Sequence, residues 1–336
     1  MNLAASVLAG DRLALSRLLT LIENQDPQGL AALNELFPHT GRAHLIGVTG
    51  APGTGKSSLV NRLALYYRRE MQPAPRLAII AVDPTSPFSG GAILGDRVRM
   101  RDLSGDSGIF IRSMASRGSL GGLAQTTAAL AQVFDAAGYE IIFIETVGAG
   151  QNEVDIARLA HTTLVVEAPG LGDDIQAIKA GILEIADILV INKADRPGVE
   201  STEKALKNML ELAHPIRHVF RHHGRLEIVD APPTTPQYNS WIPPIHRTVA
   251  TEGKGIPELV ASIAKHRQHL IESGDWEARE RAQLEAELEE LLGEALLKQF
   301  RKRISPQFYQ EVLRQVLDRS LSPWDAVHLL TNWRQE

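Results

Sequence analysis

Eight consecutive residues, Gly50-Ala51-Pro52-Gly53-Thr54-Gly55-Lys56-Ser57, fit the pattern G-x-x-x-x-G-K-[ST]. Glycines at these places let successive backbone N–H groups converge on one concavity that wraps a triphosphate. Lys56 would reach the β- and γ-phosphates as the main catalytic cation, and the Ser57 hydroxyl would ligate Mg²⁺, with Ser58 beside it. The local setting agrees. The strand-like run HLIGV precedes the loop, and SLVNRLALYYRR follows with helical periodicity.

A second element reads a base. Asn192-Lys193-Ala194-Asp195 closes the apolar run DILVI. The Asp195 carboxylate can accept two hydrogen bonds, from the guanine ring N–H and its exocyclic amine, and adenine offers neither donor in that arrangement. Charge-assisted bonds of this kind contribute roughly 1.5–3 kcal/mol each, so GTP or GDP is expected over ATP. Four such residues alone would be an ordinary surface turn; after a phosphate-binding loop they gain meaning. A third element, Glu145-Thr146-Val147-Gly148, closes EIIFI where many GTPases carry D-x-x-G, though it also fits a plain strand end. Asp83 stands at the carboxyl end of another strand-like run, which in a parallel sheet faces the ligand crevice. Asp96 lies in the Gly-rich stretch Gly90–Arg97, suited to a switch near Mg²⁺ or the γ-phosphate. By residue type alone, both aspartates read equally well as turn residues.

The elements that must position these groups alternate. HLIGVTG, RLAIIAVD, GIFIRS, EIIFIET, TTLVVEA, DILVINK and LEIVDA are short buried runs separated by helical stretches, and Ile245–Ala250 offers one more strand. This texture predicts an α/β fold with a doubly wound, mostly parallel sheet. Three regions are expected: a helical N-terminal extension over 1–42, a GTPase core over 43–273 and a helical C-terminal arm over 274–336. In the first, Leu13, Leu15, Leu18, Leu19 and Ile22 recur raggedly; in the last, Leu284, Leu288, Leu291 and Ala295 recur at helical spacing, with Ser322 and Pro323 placed to start a final helix. The leucine stripe serves either internal packing or a homodimer seam. The proline-rich segment Ala231–Pro244 reads as a stiff connector.

Composition narrows the function. The chain has 336 residues, no cysteine and a net charge of −5. Disulfides, thiolate metal sites and a Cys nucleophile are excluded, a reducing cytoplasmic setting is expected, and no basic field draws the chain to nucleic acid. Its longest apolar runs are strand-sized and the N-terminus lacks a basic start, so neither a membrane span nor a signal peptide is expected. His218, His222 and His223 have metal-like spacing on a possible helix, but solvated histidines explain them. Arg112 and Arg117 could lend charge to a transition state, although loop arginines usually have duller roles.

The combination VTGAPGTGKSS, AVDPTSPFSGGAILGDRVRM, SMASRGSLGGLA, ETVGAGQNEVD and NKAD resembles the MeaB/ArgK-like GTPases over most of the chain. These are chaperones of cobalamin-dependent acyl-CoA mutases. The resemblance implies a homodimeric GTPase that gates cofactor loading of a mutase, protects it from inactivation and is stimulated by it. It also implies that Asp83, Asp96 and Glu145 surround Mg²⁺, that Asp96 and Glu145 act in catalysis, and that Glu167–Lys179 relays nucleotide state. Where GTPases often have Ser-Ala-x against guanine O6, this chain has Val249-Ala250-Thr251, and the Ala250 N–H is the expected donor. Two rivals are a metal-delivery GTPase, which usually carries Cys or a His-rich tract, and a small-molecule kinase, which needs an acceptor pocket.

Overall fold

The alternating apolar runs become strands whose two faces are covered by different helices. The computed structural model describes residues 2–84, 100–103, 105–116, 122–146, 159–170, 185–213, 218–222, 225–229 and 241–332. Strands β1 (His44–Thr49), β2 (Leu77–Pro84), β3 (Ile109–Ser116), β4 (Ile141–Glu145), β5 (Thr162–Glu167), β6 (Ile188–Ile191) and β9 (Ile245–Arg247) form one sheet in the order β3-β2-β4-β1-β5-β6-β9. Every pairing in it is parallel. Along β2, Ala78, Ile80 and Val82 turn to one face and Leu77 and Ile79 to the other, as the period of two requires.

The first face is covered by α1 (Leu3–Leu8), α2 (Arg12–Glu23), α3 (Pro27–Leu36) and α5 (Gly122–Ala136). Leu15, Leu18, Leu19 and Ile22 of α2 are buried in the same cluster as Phe134, Ile142 and Ile144, so the N-terminal helices share the sheet's core. Asp11 and Asp26 accept hydrogen bonds from first-turn amides and start α2 and α3. On the second face, α4 (Lys56–Glu70) and α7 (Ile256–Ser273) bury Leu59, Leu63, Leu259 and Ile263 against Ile46, Val48, Phe143 and Leu164. Leu206 and Leu210 of α6 (Val199–Ala213) pack on Leu189 and Ile191.

One expectation is overturned. The run LEIVDA does not join the parallel sheet: β8 (Arg225–Val229) pairs antiparallel with β7 (His218–His222). Two residues separate these strands, far too few for a parallel crossover. His218 and His222 therefore lie on a strand rather than a helix, and His223 falls outside the described residues. The edge place beside β6 goes to Ile245–Arg247, shorter than the expected Ile245–Ala250.

The chain divides into two compact units, 1–280 and 281–336. The long helix α8 (Asp275–Arg303), whose residues from Arg281 on belong to the second unit, has no buried residue, and Leu284, Leu288, Leu291, Leu292, Leu296 and Leu297 are all exposed. It continues into α9 (Pro306–Leu317) and α10 (Pro323–Thr331); Ser322 accepts from the Asp325 amide at 3.1 Å, with Pro323 in the first turn.

At the amino ends of the strands sits a buried polar cluster. Asp187, just before β6, accepts both guanidinium nitrogens of Arg279 at 2.8 and 2.9 Å, and the Thr163 amide at 2.8 Å. Burial alone would raise the Asp187 carboxyl, but His266 and Arg279 hold it at about 2. His44 and Thr162 share a hydrogen bond of 2.7 Å, and the His161 ring stacks on Trp276 at 3.9 Å. Burial pushes His161 down to about 3 and His44 well below its ordinary value.

Groups with depressed histidine pKa values favour the unfolded state once protons become available. Their contribution is complete above the unfolded value near 6.5 and is lost as pH falls toward the folded value. Between pH 6.5 and 4, His161 should remove about 1.4 kcal/mol of stability per pH unit. Urea unfolding across that range should show the decline, and His161→Gln should make it shallower by about that amount, leaving the part that His44 supplies.

Candidate functional site

The sequence-derived site assembles at the carboxyl ends of the central strands. β1 ends at Thr49, and the following loop turns sharply at Gly50, whose φ is +136° and whose missing Cβ leaves room for the Val166 carbonyl at the end of β5. Gly55 precedes α4 with φ +90°, and a Cβ there would stand 2.6 Å from Asn192 Nδ2. A side chain at either place would push the loop off its neighbours. The first turn of α4 carries neither a side-chain cap nor an acidic residue, so its positive end stays available to an anion. Lys56 Nζ donates to the Gly50 and Ala51 carbonyls at 2.7 and 3.1 Å, which holds the ammonium over the loop. Thr54 Oγ1 donates to the Ala51 carbonyl at 3.0 Å, closing the loop on itself around Pro52 and Gly53. Ser58 lies in the same first turn of α4.

Two of the expected metal ligands meet. The Ser57 hydroxyl donates to Glu145 Oε1 at 2.5 Å, and both residues are buried. Register explains the meeting: Glu145 is the last residue of β4, level with Val48 on β1 and Ala81 on β2. A hydroxyl and a carboxylate are the hard oxygen donors that Mg²⁺ takes, and that ion needs few protein ligands because phosphate and water complete its octahedron. The residues therefore fit the ion. Asp83 lies on β2 two positions beyond Ala81, opposite Ala115 of β3. Asp96, Arg117 and residues 171–179 of the expected relay segment Glu167–Lys179 fall outside the described residues.

The elements expected to read a base are tied together by one side chain. Asn192 follows β6 directly and is 2% exposed. Its Nδ2 donates to the Thr54 carbonyl at 2.9 Å, while its Oδ1 accepts from Thr248 Oγ1 and from the Ala250 N–H, each at 3.2 Å. Lys193 takes φ +56° and reaches the Gly53 carbonyl at 2.5 Å. The Ala194 amide bonds the Thr248 carbonyl at 3.0 Å, and Asp195 beyond it is exposed. The phosphate loop, the NKAD turn and Val249-Ala250-Thr251 thus adjoin. The Ala250 N–H, assigned by sequence to guanine O6, is engaged by Asn192.

Thr248 was missed by sequence reasoning. Its only signal is its place at the end of the short strand β9, immediately before Val249. Thr146 is visible in the sequence only as part of a motif, yet its hydroxyl bonds Thr49 Oγ1 at 3.2 Å and ties the ends of β4 and β1. Arg112 does not approach the site: it pairs with Glu23 of α2 at 2.6 and 2.7 Å. Among the described residues no group of three or more His, Asp or Glu is placed to hold a metal, and no helix is long and apolar enough to cross a membrane.

Comparison with known proteins places this geometry in context. The family model described as Methylmalonyl Co-A mutase-associated GTPase MeaB matches residues 15–305. A Pyrococcus horikoshii protein described as a GTPase is 43% identical over 321 residues, covering 96% of this chain and 94% of its own. The mouse methylmalonic aciduria type A homolog, a mitochondrial protein, is 31% identical over 317 residues, covering 94% of this chain and 69% of its own. A crystal structure of an LAO/AO transport system kinase superposes with a TM-score of 0.66 at 26% identity, covering 98% of this chain and 95% of its own.

Asn192→Ala would leave the Thr54 carbonyl and the Ala250 N–H without their buried partner. At roughly 1–3 kcal/mol for each of these two buried groups left unsatisfied, a loss of about 2–6 kcal/mol is expected in urea unfolding. Wild-type stability in this variant would show that the three loops are held by something else.

Proposed function

Because this chain belongs to the MeaB family of methylmalonyl-CoA mutase-associated GTPases, and so is a GTPase that binds guanine nucleotide, we propose that its GTP cycle regulates a cobalamin-dependent acyl-CoA mutase. In this reading the protein gates adenosylcobalamin loading and protects the mutase from inactivation. The observation that carries it is the family match, which runs unbroken from the N-terminal helices through the phosphate loop and the NKAD turn into α8.

Hydrolysis would rest on positioning and electrostatics rather than on a covalent intermediate. Backbone amides of 50–55, the uncapped end of α4 and Lys56 would hold the β- and γ-phosphates. Ser57 and Glu145 would hold Mg²⁺, with Asp83 and Asp96 as the further acids, and the ion would supply positive charge against the phosphates. Asp195 would read the guanine N1–H and 2-amine. The mutase would supply or order the group that orients the attacking water, so that turnover is slow without the partner. The protein would act in the cytoplasm as a homodimer, using the exposed leucines of α8. Six exposed leucines on one helix form an apolar surface that a second copy would bury.

Hydrolysis of GTP by the purified protein, alone and with candidate cobalamin-dependent acyl-CoA mutases, tests the reading, with ATP as control and Lys56→Ala as the inactive reference. Strong stimulation by one mutase is expected. Turnover that ignored every mutase but rose with a small-molecule acceptor would favour the kinase.

Replacing Leu288 and Leu292 together by Glu should convert a dimer into a monomer by light scattering at micromolar protein. If the wild-type chain is already monomeric there, α8 is not a dimer seam.

A further inference from the structure

The Val249-Ala250-Thr251 loop lacks the serine hydroxyl that would stiffen it, yet it is held from a second side. Arg62, on the second turn of α4, donates from Nε to the Ala250 carbonyl at 2.9 Å and from Nη2 to the Thr251 carbonyl at 2.6 Å. The guanidinium thus grips two successive peptide groups with a rigid fork, which an ammonium could not reproduce in full. A trans peptide points its carbonyl and its N–H in opposite directions, and the only cis bond in the described chain is Gln72–Pro73. With the Ala250 carbonyl fixed on Arg62, the Thr251 N–H of the same peptide is turned away from α4.

The neighbouring amides have other partners. Ala250 N–H goes to Asn192 Oδ1 and Glu252 N–H to the Val249 carbonyl at 3.0 Å. Thr251 N–H has no bond among the described residues, and Thr251 is exposed. The loop therefore presents one available donor, aimed by Arg62, beside the NKAD turn.

We propose that Arg62 is a positioning residue for base recognition: it holds the loop so that the Thr251 N–H meets the O6 acceptor of guanine, and so sets part of the preference over adenine. This rests on the nucleotide-site reading above. Adenine carries an amine at that position, which would confront a fixed N–H donor with another donor. The readout is independent of Asp195, which takes the ring N–H and the 2-amine.

Calorimetric binding of GDP, IDP and ADP to the full chain separates these roles, using wild type, Arg62→Ala, Arg62→Lys and Asp195→Asn. IDP keeps O6 but lacks the 2-amine. Arg62→Ala should weaken GDP and IDP alike, by about tenfold, and leave ADP unchanged. Arg62→Lys should recover part of the loss, since one ammonium can still hold one carbonyl. Asp195→Asn should instead penalise GDP more than IDP. A GDP-to-ADP ratio within twofold of wild type in Arg62→Ala overturns the proposal. So does an equal loss for all three nucleotides without rescue by Lys, which would make Arg62 a structural staple. If the wild type itself binds GDP and ADP equally, the guanine assignment of the site falls first and Arg62 with it.

Discussion

The carboxamide of Asn192 is the constraint on which the site depends. It has one donor group and one acceptor, and it spends them on different loops: Nδ2 on the Thr54 carbonyl of the phosphate loop, Oδ1 on Thr248 and Ala250 of the base loop. Neither of its nearest analogues would serve. An aspartate would bring a carboxylate against the Thr54 carbonyl, and a glutamine would need an extra methylene in a place already closed by Gly55. Because the group is buried, each of these bonds is worth more than it would be in water, and each would be costly to leave unmade. The glycine at 55 and the asparagine at 192 are thus one feature seen from two sides: the first is bare so that the second can approach.

The sheet separates two kinds of polar work. At the carboxyl ends of β1, β4, β5 and β6 lie the groups suited to a nucleotide: the loop after Thr49, Glu145, the NKAD turn. At the amino ends lie His44, Thr162, Asp187 and His266, joined by contacts of 2.7–3.2 Å and sealed by Arg279. This end of the sheet carries two depressed histidines, His44 and the neighbouring His161, a feature often taken to mark catalysis. Here desolvation accounts for the shifts, and the cluster lies at the opposite ends of the strands from Lys56, so a perturbed pKa points to architecture rather than to chemistry. Strand β6 joins the two regions in four residues, with Asp187 just before it and Asn192 just after.

What was legible in the sequence follows from what is local. The phosphate loop, the NKAD turn and the Glu145 strand end are fixed by residues within a few positions of one another, and the meeting of Ser57 with Glu145 follows once parallel strands are assumed. The parallel sheet was legible because runs such as ILVI are apolar on both faces. LEIVDA was misplaced for the complementary reason: apolar patterning marks a strand but not its partner, and the two-residue spacing to His218–His222 was the neglected signal. The occupation of the Ala250 N–H was not legible at all, since it depends on a side chain 58 positions away in the chain. Arg62 was equally hidden, because its partners are backbone carbonyls and any sequence could supply them.

Two independent routes now join the phosphate and base ends of the site. One runs through Asn192; the other runs along α4, which begins at Lys56 and Ser57 and carries Arg62 on its second turn. A helix is stiff over such a distance, so the separation between the phosphate loop and the base loop is held by a rod as well as by a buried hydrogen bond. On the proposed assignment, the residues that would read the base and those that would hold the β-phosphate belong to one rigid body. Such a body would grip GTP and GDP alike, since both share these parts, so it could not by itself shift the protein between two states. Discrimination between them would then come from groups that meet the γ-phosphate, and Glu145, bonded to Ser57, would be the described residue that links this frame to that side.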